Sequence, residues 1–336
     1  MKKIILPLVV VLGLVGCKTQ MKDVKDVDPV RFSNSITSSE LSDYLYTFSS
    51  DEFEGRDTGS KGQKEAAQYL KNYYKSLNIQ GGSDEDDPYL QTIDSSFFDG
   101  KLPSSENVVA MIKGSELPEE YLIITSHYDH VGMRNGGIYN GADDGGSGSM
   151  AMMEIAEAFK KAIEEGYRPK RSIVFLHLTG EEKGLLGSKY YTQNPIFPLE
   201  NTVANLNMDM IGRVDEAHKN NPDYIYLIGS DKLSTELHEI SEEANSKYAN
   251  IDLDYTYNDE NDPNRFYYRS DHYNFAKFDI PIIFHFNGVH EDYHKPTDTA
   301  DKIDYEVLEK RAKLVFFTAW EIANRDERPF VDKPTL

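Results

Sequence analysis

The chain of 336 residues carries 57 acidic and 36 basic side chains, a net charge of −21. This argues against nucleic acid as a partner, because phosphate binding needs a basic face. Hydrophobic residues make up 39% and charged residues 28%, proportions typical of a folded soluble domain rather than a disordered chain. The single cysteine excludes an internal disulfide and a cysteine-ligated zinc site.

The beginning of the chain has the pattern of an export signal. Lys2 and Lys3 precede an apolar run over 4–15, which is too short to span a membrane. The tetrad LVGC follows, and Cys17 stands where such a signal is cleaved. LVGC resembles a bacterial lipobox, and this resemblance implies that Cys17 is lipidated and becomes the mature N-terminus.

We therefore divide the chain into a signal peptide over 1–16, a polar tether over 17–34 and one domain over 35–336. The expected location is the periplasmic or cell-surface face of a bacterial membrane, with the lipid on Cys17 as the only membrane contact. The alternative is a plain secreted protein in which the cysteine occurs by chance.

Helical and extended patterns alternate along the domain. The predicted helices cover 38–48, 64–77, 149–165, 185–192, 234–248 and 305–322. The predicted strands cover 107–112, 121–125, 173–178, 203–208, 224–228 and 280–286. Because several of these strands are uniformly apolar and alternate with helices, the pattern predicts an α/β domain with a largely parallel sheet covered on both faces.

Carboxylates and imidazoles follow the predicted strands. In such a sheet, ligands bind beyond the carboxyl ends of the strands. The residues found there are His127 to His130, Glu181, Glu182, Asp209, Tyr293 and His294, and Asp143 and Asp144 open the helix predicted from 149. Each group taken singly has an ordinary explanation, such as a helix cap for the aspartates. If each residue had only such a structural role, all of them would have to fall by chance at one end of one sheet. This coincidence argues against the separate explanations.

Converging carboxylates repel one another, and a bound cation removes the conflict. Imidazole and carboxylate ligands without thiolates suit zinc, and also manganese or cobalt. Five ligands that include one shared carboxylate can hold two ions about 3.5–4 Å apart, as in two-metal hydrolases.

Five segments resemble, in order and spacing, the motifs of the co-catalytic zinc peptidases of family M28. These segments are SHYDHVG, GADDGGSGSM, LTGEEKGLLGS, NMDMIG and YHKPTD, and EGRDTGSKGQKEAAQYL nearer the start is also similar. The similarity covers about 40–325. It implies a three-layer α/β/α sandwich around a mixed, mostly parallel sheet of about eight strands, and a zinc exopeptidase, in the first place an aminopeptidase, acting on peptides.

The resemblance also implies a ligand set for two Zn²⁺ ions, with Co²⁺ or Mn²⁺ as possible replacements. His127 and Asp209 would hold one ion, and Glu182 and His294 the other. Asp144 would bridge both.

Three further residues receive catalytic roles from the same resemblance. Glu181 would be the general base, and Asp129 would orient the His127 ring. Tyr293 would stabilise the oxyanion. The alternatives are a glutaminyl cyclase-like acyltransferase, a dipeptidase or carboxypeptidase on the same scaffold, and a surface lipoprotein that binds without catalysis.

The other histidines receive structural interpretations. We expect His218 and His238 on the surface and His177 within a strand, in the core or behind the site. Four histidines near the motifs are candidates for lining the pocket: His130, His272, His285 and His290.

Overall fold

A computed structural model describes residues 21–333 of the chain. The predicted signal peptide and Cys17 lie outside these residues. The strands are β1 Gln80–Gly81, β2 Leu90–Ile93, β3 Ser105–Ile112, β4 Leu117–His127, β5 Gly132–Arg134, β6 Gly137–Tyr139, β7 Arg171–Leu178, β8 Thr202–Met208, β9 Tyr224–Ile228, β10 Asp252–Asp254 and β11 Ile282–Phe286. The helices are α1 Val30–Ser33, α2 Ser38–Phe48, α3 Lys61–Ser76, α4 Gly148–Glu164, α5 Leu186–Gln193, α6 Thr235–Ala244, α7 His272–Ala276 and α8 Tyr305–Asn324.

Nine of these strands form one mixed sheet in the order β1-β3-β7-β4-β8-β11-β9-β10, with β2 also paired to β3. The four central strands, β7, β4, β8 and β11, are parallel neighbours, whereas β3 and β9 join them antiparallel. The predicted mixed sheet is thus confirmed, with nine strands in place of about eight. Strands β1, β2 and β10 were missed because two to four residues are too short to show a period.

Helices cover both faces of the sheet, as the buried strands predicted. Along β4, Leu122 and Ile124 pack into the larger core with α2, α3, α4, α6 and α8. Tyr121 and Ile123 point the other way, into a smaller core that includes residues of α5 and α7. Because successive strand residues face opposite sides, one apolar run supplies both cores.

Side-chain caps set the starts of several helices. Helix α3 begins at Lys61, three residues before its predicted start, because the Ser60 side chain accepts a hydrogen bond from the Gln63 backbone N–H. Thr37, Ser234 and Asp304 cap α2, α6 and α8 in the same way.

The described part of the stretch predicted as a tether packs against the domain. Val24 and Phe32 are buried in the larger core, and the Phe32 ring lies 5.6 Å from that of Trp320 in α8. Across residues 21–333, no helix combines the length and the apolar character that crossing a membrane requires.

Candidate active site

Three adjacent central strands bring the predicted residues to one edge of the sheet. His127 is the last residue of β4, and its register partner Leu178 ends β7, three residues before Glu181. On the other side of β4, Thr125 is level with Asn207 of β8, so Asp209 follows at the level of His127. Parallel pairing therefore assembles residues that are far apart in sequence.

Asp144 enters this edge from the loop before α4. The backbone N–H groups of Asp143 and Asp144 both donate to the Asp298 carboxylate at 3.1 Å. The Asp143 side chain turns away and accepts from the Gly212 N–H at 2.7 Å. Gly145 follows with φ +79°, and a Cβ there would lie 2.9 Å from Cε1 of the His127 ring, so this position requires glycine.

One group of candidate ligands, the buried subsite, consists of His127, Asp144 and Asp209. His127 Nε2 lies 3.2 Å from Asp144 Oδ1 and 3.2 Å from Asp209 Oδ1. The second oxygen of Asp209 accepts a 2.7 Å hydrogen bond from Ser270, whose hydroxyl accepts in turn from Asn207 Nδ2 at 2.9 Å. All three of these side chains are buried.

The second group, the outer subsite, consists of Asp144, Glu182, His294 and His130. His294 Nε2 lies 3.2 Å from Asp144 Oδ2 and 3.1 Å from Glu182 Oε2. His130 Nδ1 lies 2.8 Å from Glu182 Oε1. The His294 side chain is 40% exposed, so this group opens to solvent.

Both groups fit a divalent cation. The possible ligand atoms of the buried subsite lie within 4.8 Å of one another, and so do those of His130, Asp144 and Glu182. Oδ2 of Asp144 and Oε1 of Glu182 are buried without a hydrogen-bond partner among residues 21–333. A cation would satisfy these atoms, and their oxygen and nitrogen chemistry suits zinc, cobalt or manganese.

The protonation equilibria reflect the same concentration of negative charge. Burial lowers the pKa of His127, but Asp209 and Asp144 outweigh it and hold that pKa well above its usual range. Burial also opposes the protonation of His294, yet Asp144 and Glu182 raise its pKa to about 10. Burial and Asp144 raise the pKa of Glu182, and the imidazoles of His130 and His294 more than reverse this, to about 2. Positive charge is thus strongly favoured among these carboxylates.

Asp129 contacts His127 through its main chain rather than its side chain. The Asp129 carbonyl oxygen lies 3.0 Å from His127 Nδ1, whereas its carboxylate lies 3.8 Å away. That carboxylate instead accepts from the Glu181 backbone N–H at 3.1 Å and from the Thr58 hydroxyl at 2.9 Å. Asp129 therefore positions both the His127 ring and the backbone of Glu181.

A recess beside the two subsites is lined by Asp144, Glu181, Asp209, Met210, Phe266, Arg269, Phe284, Phe286, Val289, Tyr293 and His294. Burial raises the pKa of the Glu181 carboxyl well above its usual range; His127 opposes this, and Asp209 and Asp271 add to it. Burial, Asp144 and Asp209 also raise the pKa of Tyr293, so its phenol keeps its proton. The recess thus combines apolar walls with a carboxyl group and a hydroxyl donor.

Arg56 is a buried residue of the site that the sequence reasoning did not single out. Its guanidinium donates to the carbonyls of Phe48, Tyr128, Asn140 and Gly141 at 2.7 to 3.1 Å. It thereby joins the chain just after His127 to the chain just before Asp144. Its place within EGRDTGS was the available signal, but that motif does not show which carbonyls an arginine reaches.

Among the other histidines, His130 alone approaches the ligand carboxylates within residues 21–333. His290 contacts Asp143, and His272 and His285 contact the backbone carbonyls of Tyr267 and Asn207. His177 is buried in β7 with Nε2 2.7 Å from the Tyr74 hydroxyl, as a core residue should be. His218 is less exposed than predicted, because it stacks on Tyr224 between Asp215 and Asp254.

Known proteins resemble this chain in sequence and in fold. A probable zinc metalloprotease of Pyrenophora teres f. teres is 39% identical over 111 residues, 31% of this chain and 22% of that protein. The aminopeptidase YwaD of Bacillus subtilis is 27% identical over 229 residues, 67% of this chain and 46% of that protein. The crystal structure of the Legionella pneumophila LapA aminopeptidase superposes with a TM-score of 0.70 at 22% identity, covering 97% of this chain and 81% of that one.

The matched segments span between 14% and 46% of the length of the curated relatives. A model of peptidase family M28 matches residues 107–319, which include His127, Asp144, Glu182, Asp209 and His294. The match extends over more than half of the chain and contains both subsites. On this evidence the chain belongs to peptidase family M28.

Proposed function

We propose that the protein is a dinuclear zinc aminopeptidase that removes N-terminal residues from peptides. The observation that carries this proposal is the position of Asp144 between two imidazoles. Its Oδ1 faces His127 and its Oδ2 faces His294, each at 3.2 Å. One carboxylate that serves two separate ligand groups is the arrangement a bridging ligand requires.

His127, Asp144 and Asp209 would hold one zinc ion, and Asp144, Glu182 and His294 the other. Bound zinc supplies Lewis acidity, which lowers the pKa of water to about 7 and polarises a carbonyl group. The carboxylates cluster in a buried volume, and this supports cation binding there as the function of the site.

Glu181 is the proposed general base. Its side chain lines the recess, while the hydrogen bond from its N–H to Asp129 fixes its backbone. It takes a proton from the attacking water and delivers it to the leaving amine.

Tyr293 is the proposed donor to the developing oxyanion. Its ring stacks on that of His294, with centroids 3.9 Å apart, and its hydroxyl lies 3.5 Å from an Arg269 nitrogen. Because its phenol stays protonated, it can donate a hydrogen bond at neutral pH. Such a donor contributes about 3 kcal/mol to transition-state stabilisation in other hydrolases.

The lining of the recess supports release of an apolar N-terminal residue. Met210, Phe266, Phe284 and Phe286 are buried apolar side chains that face an incoming group. The carboxylates of Glu181 and Asp209 line the same recess and give a substrate ammonium a partner. Arg269 is the observation that favours the second candidate, a dipeptidase, because its guanidinium can pair with a C-terminal carboxylate.

The test is a panel of aminoacyl and dipeptide substrates, assayed after chelation and after addition of zinc. We expect hydrolysis of aminoacyl amides with apolar residues, lost on chelation and restored by zinc. Activity on free dipeptides alone would indicate the dipeptidase, and no hydrolysis of any substrate with zinc supplied would indicate a binding protein. One ion per chain, together with pyroglutamate formation, would indicate a glutaminyl cyclase.

Glu181→Ala tests the assigned base. We expect turnover to fall by roughly 10²–10⁴-fold with both zinc ions retained, because Glu181 moves protons and ligates neither ion. Glu65→Ala, in the exposed Lys61–Glu65 pair of α3, is the matched control and should be fully active. Normal turnover by Glu181→Ala would refute the assignment.

We also propose that the enzyme is exported and anchored through a lipid on Cys17, which the LVGC tetrad supports. Intact-mass analysis of the membrane fraction should show a diacylglyceryl modification there. The Cys17→Ser variant should appear in the soluble fraction. An unmodified Cys17 thiol would defeat this proposal.

A further inference from the structure

His130 lies among the ligands of the outer subsite, although the motif resemblance assigns it no role. Its Nδ1 is 2.8 Å from Glu182 Oε1 and 3.6 Å from Asp144 Oδ2. The residue is fully buried, three positions after His127. It therefore occupies the same carboxylate cluster as His294, which approaches from the solvent side.

The contact between His130 and Glu182 is short but lacks the alignment of a regular hydrogen bond. Neither His130 Nδ1 nor Glu182 Oε1 has a hydrogen-bond partner among residues 21–333, although they lie 2.8 Å apart. A buried polar atom without a partner costs free energy, and such atoms are rare in native proteins. Two such atoms that lie side by side without hydrogen bonds are arranged like two neighbouring ligands of one cation.

The backbone next to His130 leaves room for its ring. Gly141 has φ +53°, and a Cβ at this position would lie 2.4 Å from Cγ of His130 and 2.5 Å from its Cδ2. Any larger residue would displace the imidazole. The Arg56 guanidinium holds the Gly141 carbonyl at 2.8 Å, so the backbone beside the ring is fixed. This packing holds Nδ1 beside Glu182 and Asp144.

We propose that His130 Nδ1 is an additional ligand of the cation in the outer subsite, alongside Asp144, Glu182 and His294. This inference rests on the proposed dinuclear function and assigns that subsite a second imidazole. Nδ1, Oε1 of Glu182 and Oδ2 of Asp144 are all buried and lack hydrogen bonds, so one cation would satisfy all three. The ligand class is a divalent cation that accepts nitrogen and oxygen donors, zinc above all.

The test counts imidazole ligands by zinc K-edge X-ray absorption on the zinc-loaded protein. If His130 is a ligand, the two ions together bind three imidazoles, from His127, His130 and His294. His130→Phe keeps the volume of the ring and should reduce this count to two. In a chelator competition, one of the two zinc ions should lose about tenfold or more in affinity, and the other should be unaffected. His238→Phe, on α6, is the control.

Each result decides the proposal. A count of two imidazoles in the natural protein, unchanged in His130→Phe, overturns the ligand role of His130 and leaves the dinuclear function standing. A protein that binds no divalent cation refutes both. A single bound ion with two imidazoles, one of them lost in His130→Phe, refutes the dinuclear function but supports His130. If His130→Phe does not fold, His130→Asn replaces it, and the count in the natural protein decides by itself.

Discussion

The two subsites share Asp144 but are organised in different ways. In the buried subsite, hydrogen bonds hold the ligands from behind, from Ser270 to Asp209 and between His127 Nδ1 and the Asp129 carbonyl oxygen. In the outer subsite, Glu182 and His130 contact mainly other candidate ligands, and three of their atoms have no hydrogen-bond partner among residues 21–333, namely both ring nitrogens of His130 and Oε1 of Glu182. His294 is 40% exposed and adopts φ +52°, which costs a non-glycine residue roughly 1–2 kcal/mol.

This difference shows how one edge of a sheet can supply two sites of unequal rigidity. His127 and Asp209 come directly from the central strands, so the fold itself positions the buried subsite. His294 comes from the loop between β11 and α8, and its geometry depends more on the ligands that it meets. We expect the buried subsite to bind its cation more tightly, because its ligands are ordered before the cation arrives.

The largest effect is expected from replacing Arg56. Because Arg56 supports both subsites, its loss should weaken both of them rather than one. Arg56→Met leaves the carbonyls of Phe48, Tyr128, Asn140 and Gly141 without their buried donor. We expect the free energy of unfolding to fall by roughly 3–5 kcal/mol, measured by urea denaturation, with weaker binding of both cations. Arg269→Met, at an exposed position, should leave stability unchanged. An Arg56→Met protein of natural stability would show that the clamp is dispensable.

The next effect separates the two subsites. Ser270→Ala removes the hydrogen bond to Asp209 Oδ2, so one cation should lose roughly 10–100-fold in affinity while the other is retained. Competition with a chromophoric chelator measures both constants. Ser230→Ala, which removes a buried hydroxyl beside His238, is the matched control. Equal weakening of both cations by Ser270→Ala would contradict the separate organisation of the subsites.

The smallest effect concerns a buried carboxylate without a nearby imidazole. Burial and Glu40 raise the pKa of Glu154 in α4 from 4.5 to about 8, whereas the pKa of Glu182 falls to about 2. The folded protein holds a proton on Glu154 that the unfolded chain releases, so stability falls as the pH rises from about 4.5 to about 8. Glu154→Gln removes this loss, so it should gain stability above pH 8 but nothing below pH 4.5.

Thermal or urea unfolding of both proteins across this pH range measures the effect. A gain that is independent of pH would mean that Glu154 acts through packing rather than through its proton. Glu157→Gln, on the same helix and hydrogen-bonded to Tyr73, is the comparison variant.

Much of this arrangement could be predicted from the sequence. Apolar runs and helical spacing predicted the central strands and the long helices, because these patterns follow from burial on one or two faces. The position of His127, Glu182 and Asp209 just after those runs predicted that they meet, because the parallel strands of a sheet end at the same edge. The family resemblance then added roles for individual residues.

The contacts that hold the site together depended on the tertiary structure. Thr58 and Asp129 are 71 positions apart, and Arg56 and Gly141 are 85 apart, yet each pair is hydrogen-bonded. No local pattern encodes such partners, because they depend on where loops from different elements meet. The same packing decides that Asp129 contacts His127 through its carbonyl oxygen rather than its carboxylate. It also decides that His130 approaches Glu182. The pattern of residue types thus specified which chemistry is present, and the packing of distant loops decided which atoms carry it.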